Sequence, residues 1–299
     1  NDARVEYTHY ITESIDKKKA VVKVEVDALV DKQITDAELV IKNNDIVLSR
    51  QPVVLEKGAN HLEATFRIKN PRLWWCNGMG EQNMYDFSAQ IVAENKVIAS
   101  QNDRIGLRTI RLEQEKDQWG RSFRFILNGV PVYAKGVNVI PFDNILSDVT
   151  PETYRRNLEP AAQANMNMLR VWGGGIYETD EFYRQCDSLG LMIWQDFIFS
   201  CTMYPSEGQL LETMREEFAD NIRRIRNHPS LALWCGSNEL EYSWASKKLR
   251  TMNTQENMDK IWQMYLDQNK AIQEALDTLC PEICYQPSSP FRGYGKNKS

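Results

Sequence analysis

The apolar pattern along the predicted strands changes near residue 111, and this change requires two different kinds of β-sheet. From Val22 to Ala28, within VVKVEVDALV, apolar and charged side chains alternate strictly, and similar alternation occurs in residues 61–68 and 85–92. Strict alternation indicates a sheet with one buried face. The runs are short, polar turns separate them, and no helical segment lies between them. The pattern therefore predicts an immunoglobulin-like β-sandwich over residues 1–111.

After residue 111 the predicted strands become apolar throughout and begin to alternate with helices. The charged segment 111–120, RLEQEKDQWG, carries the predicted linker, and Asn128-Gly129 between two apolar runs predicts a hairpin. Apolar strands are predicted at residues 132–137, 168–172, 191–197, 231–236 and 283–287. Uniformly apolar strands are typical of parallel strands that are covered on both faces. Residues 112–299 therefore form the second predicted domain.

Helices are predicted between these strands. One helix over residues 179–189 begins at Thr179 and ends at Gly190, and another over residues 207–227 carries an apolar stripe. A further helix opens at Thr150-Pro151, and we expect Pro160 to kink or interrupt it. A long helix is predicted over about 254–279. Repeated β-α units with parallel strands imply a barrel or a doubly wound sheet.

Polar and aromatic side chains occupy the carboxyl ends of the predicted parallel strands. Arg170 and Trp172 end the second strand, Asp196 ends the third, and Asn238 and Glu239 follow the fourth. In a (β/α)8 TIM barrel these strand ends form one rim, where active sites are built. The sequence therefore predicts a TIM barrel, of which about the first five strands are present.

Several classes of function are disfavoured by the residues that the chain lacks. No GxGxxG motif follows the first strand, and the glycine run 173–175 is followed by no Lys-Ser/Thr pair, so a nucleotide phosphate site is not expected. The net charge of −5 argues against a nucleic-acid partner, and no apolar stretch is long enough to span a membrane. The three histidines form no zinc-ligand spacing with cysteines, so no metal and no cofactor are expected. Cys280 and Cys284 are near enough in sequence for a disulfide, which spacing alone does not decide.

Five separated segments resemble glycoside hydrolase family 2, and most closely its β-mannosidases. They are LWWCNGMGEQNMYDF (73–87), FRFILNGVPVYAKGVN (123–138), LRVWGGGIYE (169–178), LMIWQDFIFSC (191–201) and RNHPSLALWCGSNE (226–239). They occur in the order found in that family. The resemblance implies a retaining, exo-acting hydrolase that removes non-reducing terminal β-D-mannose from oligosaccharides or glycoconjugates. Its expected partner is a mannose-containing oligosaccharide.

The same resemblance gives roles to the rim residues. Glu239 matches the family's general acid/base, and Asn238 is expected to hydrogen-bond the sugar 2-hydroxyl. Trp172 and Asp196 are expected to line the mannose subsite, with Arg170 bracing them. Each residue also has a structural alternative: a helix cap for Glu239, a turn residue for Asn238, core packing for Trp172 and a buried ion pair for Arg170 and Asp196.

A retaining glycosidase needs two carboxyl groups, roughly 5–5.5 Å apart. In the family the nucleophile is a Glu on the seventh barrel strand, and about five strands are present here. The chain is therefore expected to be an internal fragment that is inactive alone, with two open sheet edges that favour self-association. The first residues, NDARVEYTHY, lack the features of a signal peptide and an initiator Met, which also predicts a longer parent.

Two other functions remain open at this point. Ser237 stands where many β-mannosidases have Asn, so another family 2 glycosidase is an alternative: a β-galactosidase, a β-glucuronidase or an exo-β-glucosaminidase. A non-catalytic carbohydrate-binding scaffold is the second alternative. The resemblance implies a parent that is periplasmic, secreted or lysosomal.

Overall fold

The computed structural model describes residues 3–245 and 251–291. Its first unit consists of two antiparallel sheets. One has the order β1-β2-β5 and the other the order β4-β3-β6-β7. The strands are β1 (Ala3–Ile15), β2 (Lys19–Val30), β3 (Ile34–Asn43), β4 (Ile46–Leu55), β5 (Gly58–Lys69), β6 (Tyr85–Ala93) and β7 (Lys96–Ile105).

The alternation in β2 produces the core between these sheets. Val22, Val24 and Val26 are fully buried and pack in one cluster with Leu39 and Phe87 from the other sheet. Each buried Val side chain contributes roughly 1.5–3 kcal/mol. A register shift of one residue would bring the charged face of β2 into this core, so the alternation also fixes the pairing. The predicted immunoglobulin-like sandwich is confirmed.

A small antiparallel sheet follows the sandwich. It consists of β8 (Ile110–Glu113), β9 (Arg124–Leu127) and β10 (Val130–Val132), and it spans the predicted boundary at residue 111, which stays a prediction. Asn128 and Gly129 both have positive φ, at 50° and 80°, as the predicted tight hairpin requires.

One strand differs from the prediction. The run 132–137 is not continuous: β10 ends at Val132, and the next strand, β11 (Gly136–Val139), belongs to another sheet. The side chain of Asn167 holds the residues between them, accepting a hydrogen bond from Lys135 N at 2.8 Å and donating one to Tyr133 O at 3.1 Å. These bonds satisfy backbone groups that a continuous strand would have paired.

The second unit is a partial TIM barrel. Five parallel strands lie side by side in chain order, and helices connect them. After β11 the strands are β12 (Met168–Val171), β13 (Met192–Asp196), β14 (Leu231–Cys235) and β15 (Tyr285–Gln286). The helices are α1 (Pro151–Gln163), α2 (Asp180–Leu189), α3 (Gly208–Ile225), α4 (Leu240–Ala245) and α5 (Gln255–Leu279), with a 3-10 turn at Leu146–Asp148. This confirms the predicted partial barrel.

Helix α1 does not end at Pro160, contrary to the expected interruption. Pro160 lies in the last turn, so few residues follow it before the helix ends at Gln163. The Thr150 cap fixes the start of the helix, and Tyr154 and Leu158 are buried against the core. Burial of these two side chains offsets the cost of the missing backbone N–H.

Neither a disulfide nor a membrane-spanning helix is present in the described structure. All six cysteines are free thiols, and Cys284 accepts a hydrogen bond from Leu112 N at 3.2 Å. Among the described helices, none combines the length and the apolar character needed to cross a bilayer.

Direct contacts join the sandwich to the barrel. Trp74 Nε1 donates to Asp187 O at 2.8 Å. Arg108 donates hydrogen bonds from Nε to Pro229 O at 2.7 Å and from Nη2 to Leu231 O. It therefore binds the backbone at the start of β14. These bonds cross from one unit to backbone carbonyls of the other, and they therefore fix the position of one unit relative to the other.

A buried histidine forms another contact between the two units. His9 is 1% exposed; its Nε2 lies 2.8 Å from Glu282 Oε1 and its Nδ1 lies 3.4 Å from Glu25 Oε2. Burial raises the pKa of Glu282, but the hydrogen bond and charge of His9 lower it, with a net result below the ordinary 4.5. A carboxyl group with a lowered pKa stabilises the folded state above its unfolded pKa, and this stability is lost as the pH falls through the folded pKa.

We therefore expect Glu282→Gln to lower the free energy of unfolding at neutral pH by about 1–3 kcal/mol. It should also make the loss of stability below pH 4.5 shallower. Thermal melting across this pH range measures both effects. Glu216→Gln, at an exposed position on α3, is the control. An unchanged acid transition in Glu282→Gln would contradict the role of this contact.

Candidate active site

Three side chains predicted for the site meet at the rim formed by β12, β13 and β14. Arg170 lies on β12, Asp196 ends β13, and Asn238 follows β14. Arg170 Nη2 donates to Asp196 Oδ2 at 2.8 Å and to Asn238 Oδ1 at 3.0 Å. Parallel pairing explains the meeting, because it places the carboxyl ends of successive strands at one edge.

Asp196 is completely buried, and protein donors occupy both of its carboxylate oxygens. Oδ1 accepts from Arg170 Nε at 3.2 Å and from Trp194 Nε1 at 2.9 Å. Oδ2 accepts from Arg170 Nη2 and from Gly173 N at 3.0 Å. Burial raises the pKa of Asp196 above its ordinary value, although Arg170 opposes this effect. With both oxygens bonded in this way, the Asp196 carboxylate can hold the Arg170 guanidinium in place.

Gly173 allows its backbone N–H to reach this carboxylate. A Cβ at Gly173 would lie 2.5 Å from the carbonyl oxygen of Phe199. Any larger residue would therefore push the loop away from Asp196. The glycine run after β12 therefore permits close packing at the rim.

The Asn238 amide is fixed from both ends and is 7% exposed. Its Oδ1 accepts from Arg170, and its Nδ2 donates to Ser200 Oγ at 3.2 Å and to Cys201 Sγ at 3.5 Å. Its backbone N also donates to Phe199 O at 2.9 Å. The side chain is therefore oriented before any ligand arrives.

Glu239 is exposed at the rim, and its backbone lies in the left-handed region with φ of 61°. This conformation costs a non-glycine residue about 1–2 kcal/mol. Two backbone bonds hold it: Glu239 N donates to Ser289 O at 2.9 Å, and Glu239 O accepts from Ser243 N at 2.8 Å. Its Oε2 lies 3.9 Å from Cys201 Sγ. The carboxylate is therefore directed toward the loop after β13.

Trp172 lies at the same rim but outside this hydrogen-bond network. It is half-buried, and its backbone N donates to Val139 O at 3.1 Å. Its indole covers Gly174, where a Cβ would come within 2.0 Å of the ring. The structure therefore brings Arg170, Asp196 and Asn238 into one network and leaves Trp172 beside it.

Sequence reasoning missed three residues at this site. The apolar run around Trp194 predicts a core position for its indole. Trp194 is instead half-buried, it donates to Asp196, and Arg170 Cζ lies 5.5 Å from its ring centroid. The sequence gives no signal for Ser200, and the apolar context of Cys201 predicts that it is a small core residue. Cys201 is instead exposed, and both residues contact Asn238. The sequence could have predicted the contact between Trp194 and Asp196. The two residues are two positions apart on one strand, and alternate strand residues share a face. The same apolar pattern predicts a core position for Trp234, which is fully buried.

Within residues 3–245 and 251–291, the group whose ligand atoms lie closest to metal-binding geometry is Glu25, His61 and Glu63 on the sandwich. Lys23 Nζ lies 2.9 Å from Glu25 Oε1 and 2.6 Å from Glu63 Oε1. The ammonium group already supplies the positive charge between these carboxylates. The cluster is therefore an ion-pair network on the sandwich surface, away from the rim.

Two family models match the chain. The model described as glycosyl hydrolases family 2 covers residues 3–108, and the one described as the TIM barrel domain of that family covers residues 121–288.

Similar curated proteins include two fungal enzymes. The chain is 37% identical over 243 residues to beta-mannosidase B of Emericella nidulans, a match that covers 79% of this chain and 28% of that protein. It is 38% identical to beta-mannosidase B of Aspergillus fumigatus, with the same coverage. The chain therefore spans less than a third of the length of these relatives.

Solved structures of two glycosidases superimpose on most of the chain. The beta-D-mannosidase of Dictyoglomus thermophilum superimposes with a TM-score of 0.87 at 34% identity, over 98% of this chain and 36% of that one. A beta-glucuronidase of Bacteroides uniformis superimposes with a TM-score of 0.77 at 16% identity, over 95% of this chain and 34% of that one. At the latter identity the likeness shows the fold alone.

Proposed function

The chain belongs to glycosyl hydrolase family 2, and on that basis we propose that the protein carrying it removes non-reducing terminal β-D-mannose with retention of configuration. The substrates are mannose-containing oligosaccharides or glycoconjugates. The observation that carries this proposal is the network of Arg170, Asp196 and Asn238, with Glu239 next to it on the rim. The similarity to beta-mannosidases supports mannose as the sugar.

Glu239 acts as the general acid/base in this proposal. Its carboxylate is exposed at the rim, so a glycosidic oxygen can approach it. Protonation of that oxygen assists departure of the leaving group, and the resulting carboxylate then activates water. Asn238 contacts the sugar 2-hydroxyl from an orientation that Arg170 and Cys201 fix in advance. Trp172 offers an indole face to the apolar face of the sugar ring.

A second carboxylate must form the glycosyl-enzyme. In the described network the other carboxylate is Asp196, and four donors occupy its oxygens. We propose that the nucleophile comes from outside the five strands of the described sheet. The 299-residue chain is then inactive alone, and its sheet edges at β11 and β15 favour self-association.

Turnover of matched nitrophenyl glycosides tests the function. We expect the full-length protein to hydrolyse the β-mannoside with kcat/KM at least about 100-fold above those of the β-galactoside and the β-glucuronide. Preference for either of the other sugars would assign a different family 2 activity. Binding of mannosides without any turnover would indicate a carbohydrate-binding scaffold instead.

Asp196 is expected to act through Arg170. Asp196→Asn removes the charge that fixes the guanidinium, and we expect kcat/KM for β-mannosides to fall by about 100-fold because a misplaced contact weakens the transition state. The free energy of unfolding should fall by about 1–3 kcal/mol. Kinetics and thermal melting of the full-length variant measure the two effects.

Asp187→Asn provides a matched control. Asp187 is also buried and accepts hydrogen bonds, from Ser230 N at 3.1 Å, but it contacts His228 rather than the rim. It should destabilise the protein without lowering kcat/KM of the folded fraction. Equal kinetic effects of the two substitutions would show that Asp196 has only a structural role.

A further inference from the structure

A polar cavity of about 210 Å³ lies where the sandwich meets the barrel. Both units contribute to its walls, with Tyr10 and Arg108 from the first and Arg226, Pro229 and Glu282 from the second. Pro229 comes just before β14, so the cavity lies at the end of that strand opposite to Glu239. The exposed Thr109 also lines the cavity, which is therefore open to solvent.

The two arginines of this cavity bind backbone carbonyl groups. Arg226 is 6% exposed, and it donates from Nη1 to Leu279 O at 2.9 Å and from Nη2 to Thr8 O at 3.3 Å. Arg108 donates to the two carbonyl oxygens at the start of β14. Within the described residues, neither guanidinium group bonds to a carboxylate. Burial lowers the pKa of both groups, to about 10 for Arg108, so both are charged at neutral pH.

Several polar atoms of the cavity residues have no hydrogen-bond partner. Arg226 Nε and Tyr10 Oη are buried and unpaired. In the described part of the chain Arg108 Nη1 also makes no hydrogen bond. The two arginine nitrogens can only donate, so an occupant of the cavity must offer acceptors. Water offers acceptors, but it would leave the two guanidinium charges without a counter-ion.

The charges around the cavity favour an anion. Among the described residues that line it, Glu282 is the one carboxylate, and His9 Nε2 already lies 2.8 Å from its Oε1. The remaining titratable group is His228, whose Nδ1 lies 2.6 Å from Asp187 Oδ2. The arginines therefore outnumber the carboxylates of the cavity, and the excess charge is positive.

We propose that this cavity binds a small tetrahedral oxyanion, phosphate or sulfate, between Arg108 and Arg226, and that the anion joins the sandwich to the barrel. Guanidinium groups match oxyanions in geometry, and their charge-assisted hydrogen bonds are roughly twice as strong as neutral ones. A tetrahedral oxyanion accepts hydrogen bonds in several directions, which suits donors that stand on separate segments. The volume equals that of several water molecules, at about 30 Å³ each, so such an anion can enter. The inference is independent of the proposed function, because the cavity lies away from the rim.

Isothermal titration of the full-length protein with inorganic phosphate tests this site directly. We expect one anion per chain with a Kd of about 1 mM or lower, and sulfate should compete for the same site. Phosphate should also raise Tm above its value in sodium chloride of the same ionic strength. Heats no larger than those of the chloride titration would overturn the inference. Equally tight binding of chloride would overturn the choice of an oxyanion.

Two substitutions with opposite expected effects locate the anion. Arg226→Lys keeps the charge but removes Nε and the planar guanidinium, and we expect Kd to rise at least about tenfold. Glu282→Gln removes the negative charge of the cavity and should lower Kd by about 3–10-fold. Partial unfolding would weaken binding in both variants, so tighter binding in Glu282→Gln cannot result from it. Arg121→Lys, at an exposed arginine between β8 and β9, is the control and should leave Kd unchanged. A Kd that neither Arg226→Lys nor Glu282→Gln alters would place the anion elsewhere and refute the inference.

Discussion

In the full-length protein, Glu239→Gln is expected to slow hydrolysis of β-mannosides with poor leaving groups by about 10²–10⁴-fold. Such leaving groups depart as alcohols and need a proton at the transition state, which Gln does not supply. A dinitrophenyl leaving group needs little proton assistance, so cleavage of its mannoside should be affected much less. The ratio of the two losses is therefore the diagnostic quantity, and steady-state kinetics on both substrates measures it.

The fold should survive this substitution. The Glu239 side chain is exposed, and the bonds that hold its left-handed backbone come from main-chain atoms that Gln retains. Glu216→Gln is a matched control, because Glu216 is an exposed carboxylate on α3. Equal losses on the two substrate types would count against Glu239 as the general acid.

The 299-residue chain expressed alone is expected to show no turnover of nitrophenyl β-mannoside. Glu239 alone offers acid assistance, but covalent catalysis needs a positioned nucleophile. In the described network, the buried and fully bonded Asp196 does not supply one. Turnover that co-purifies with the chain and disappears in Glu239→Gln would overturn this expectation. Glu178 and Glu207 would then be the first candidates for the second carboxylate.

The same preparation should self-associate. Val137 on the edge strand β11 is 49% exposed and the nearby Ile140 is 62% exposed, so apolar surface lies beside unpaired backbone groups. Such an edge is a template for another strand. Sedimentation velocity at several concentrations measures the effect, and Val137→Lys should reduce it. A monomer at all concentrations would contradict the expectation.

The sequence predicted those features that depend on periodicity. Alternation in β2 indicated a half-buried strand, and the mainly apolar β12–β14, which do not alternate, indicated a covered parallel sheet. Because parallel strands end at one rim, the positions of Arg170, Asp196 and Asn238 along their strands were enough to predict that they meet.

The details of these contacts depend on register and loop geometry, which sequence patterns do not specify. The four donors around Asp196 include the backbone of Gly173 and the indole of Trp194, which stand on two different segments. Cys201 and Glu239 stand on two different segments, after β13 and after β14, and both have a left-handed backbone, with φ of 60° and 61°. The Asn167 contacts that separate β10 from β11 likewise join residues more than thirty positions apart.

Arg108 has a consequence for protein engineering. It belongs to the segment after β7, yet it binds the carbonyl oxygens of Pro229 and Leu231, where the strand that leads to Asn238 and Glu239 begins. The sandwich thereby anchors the base of the strand whose other end leads to Glu239, the proposed general acid. A chimera that exchanges this sandwich for that of a relative would need an arginine in the same place. The sandwich is thus not an interchangeable module, because its replacement alone would remove the Arg108 anchor at the start of this strand.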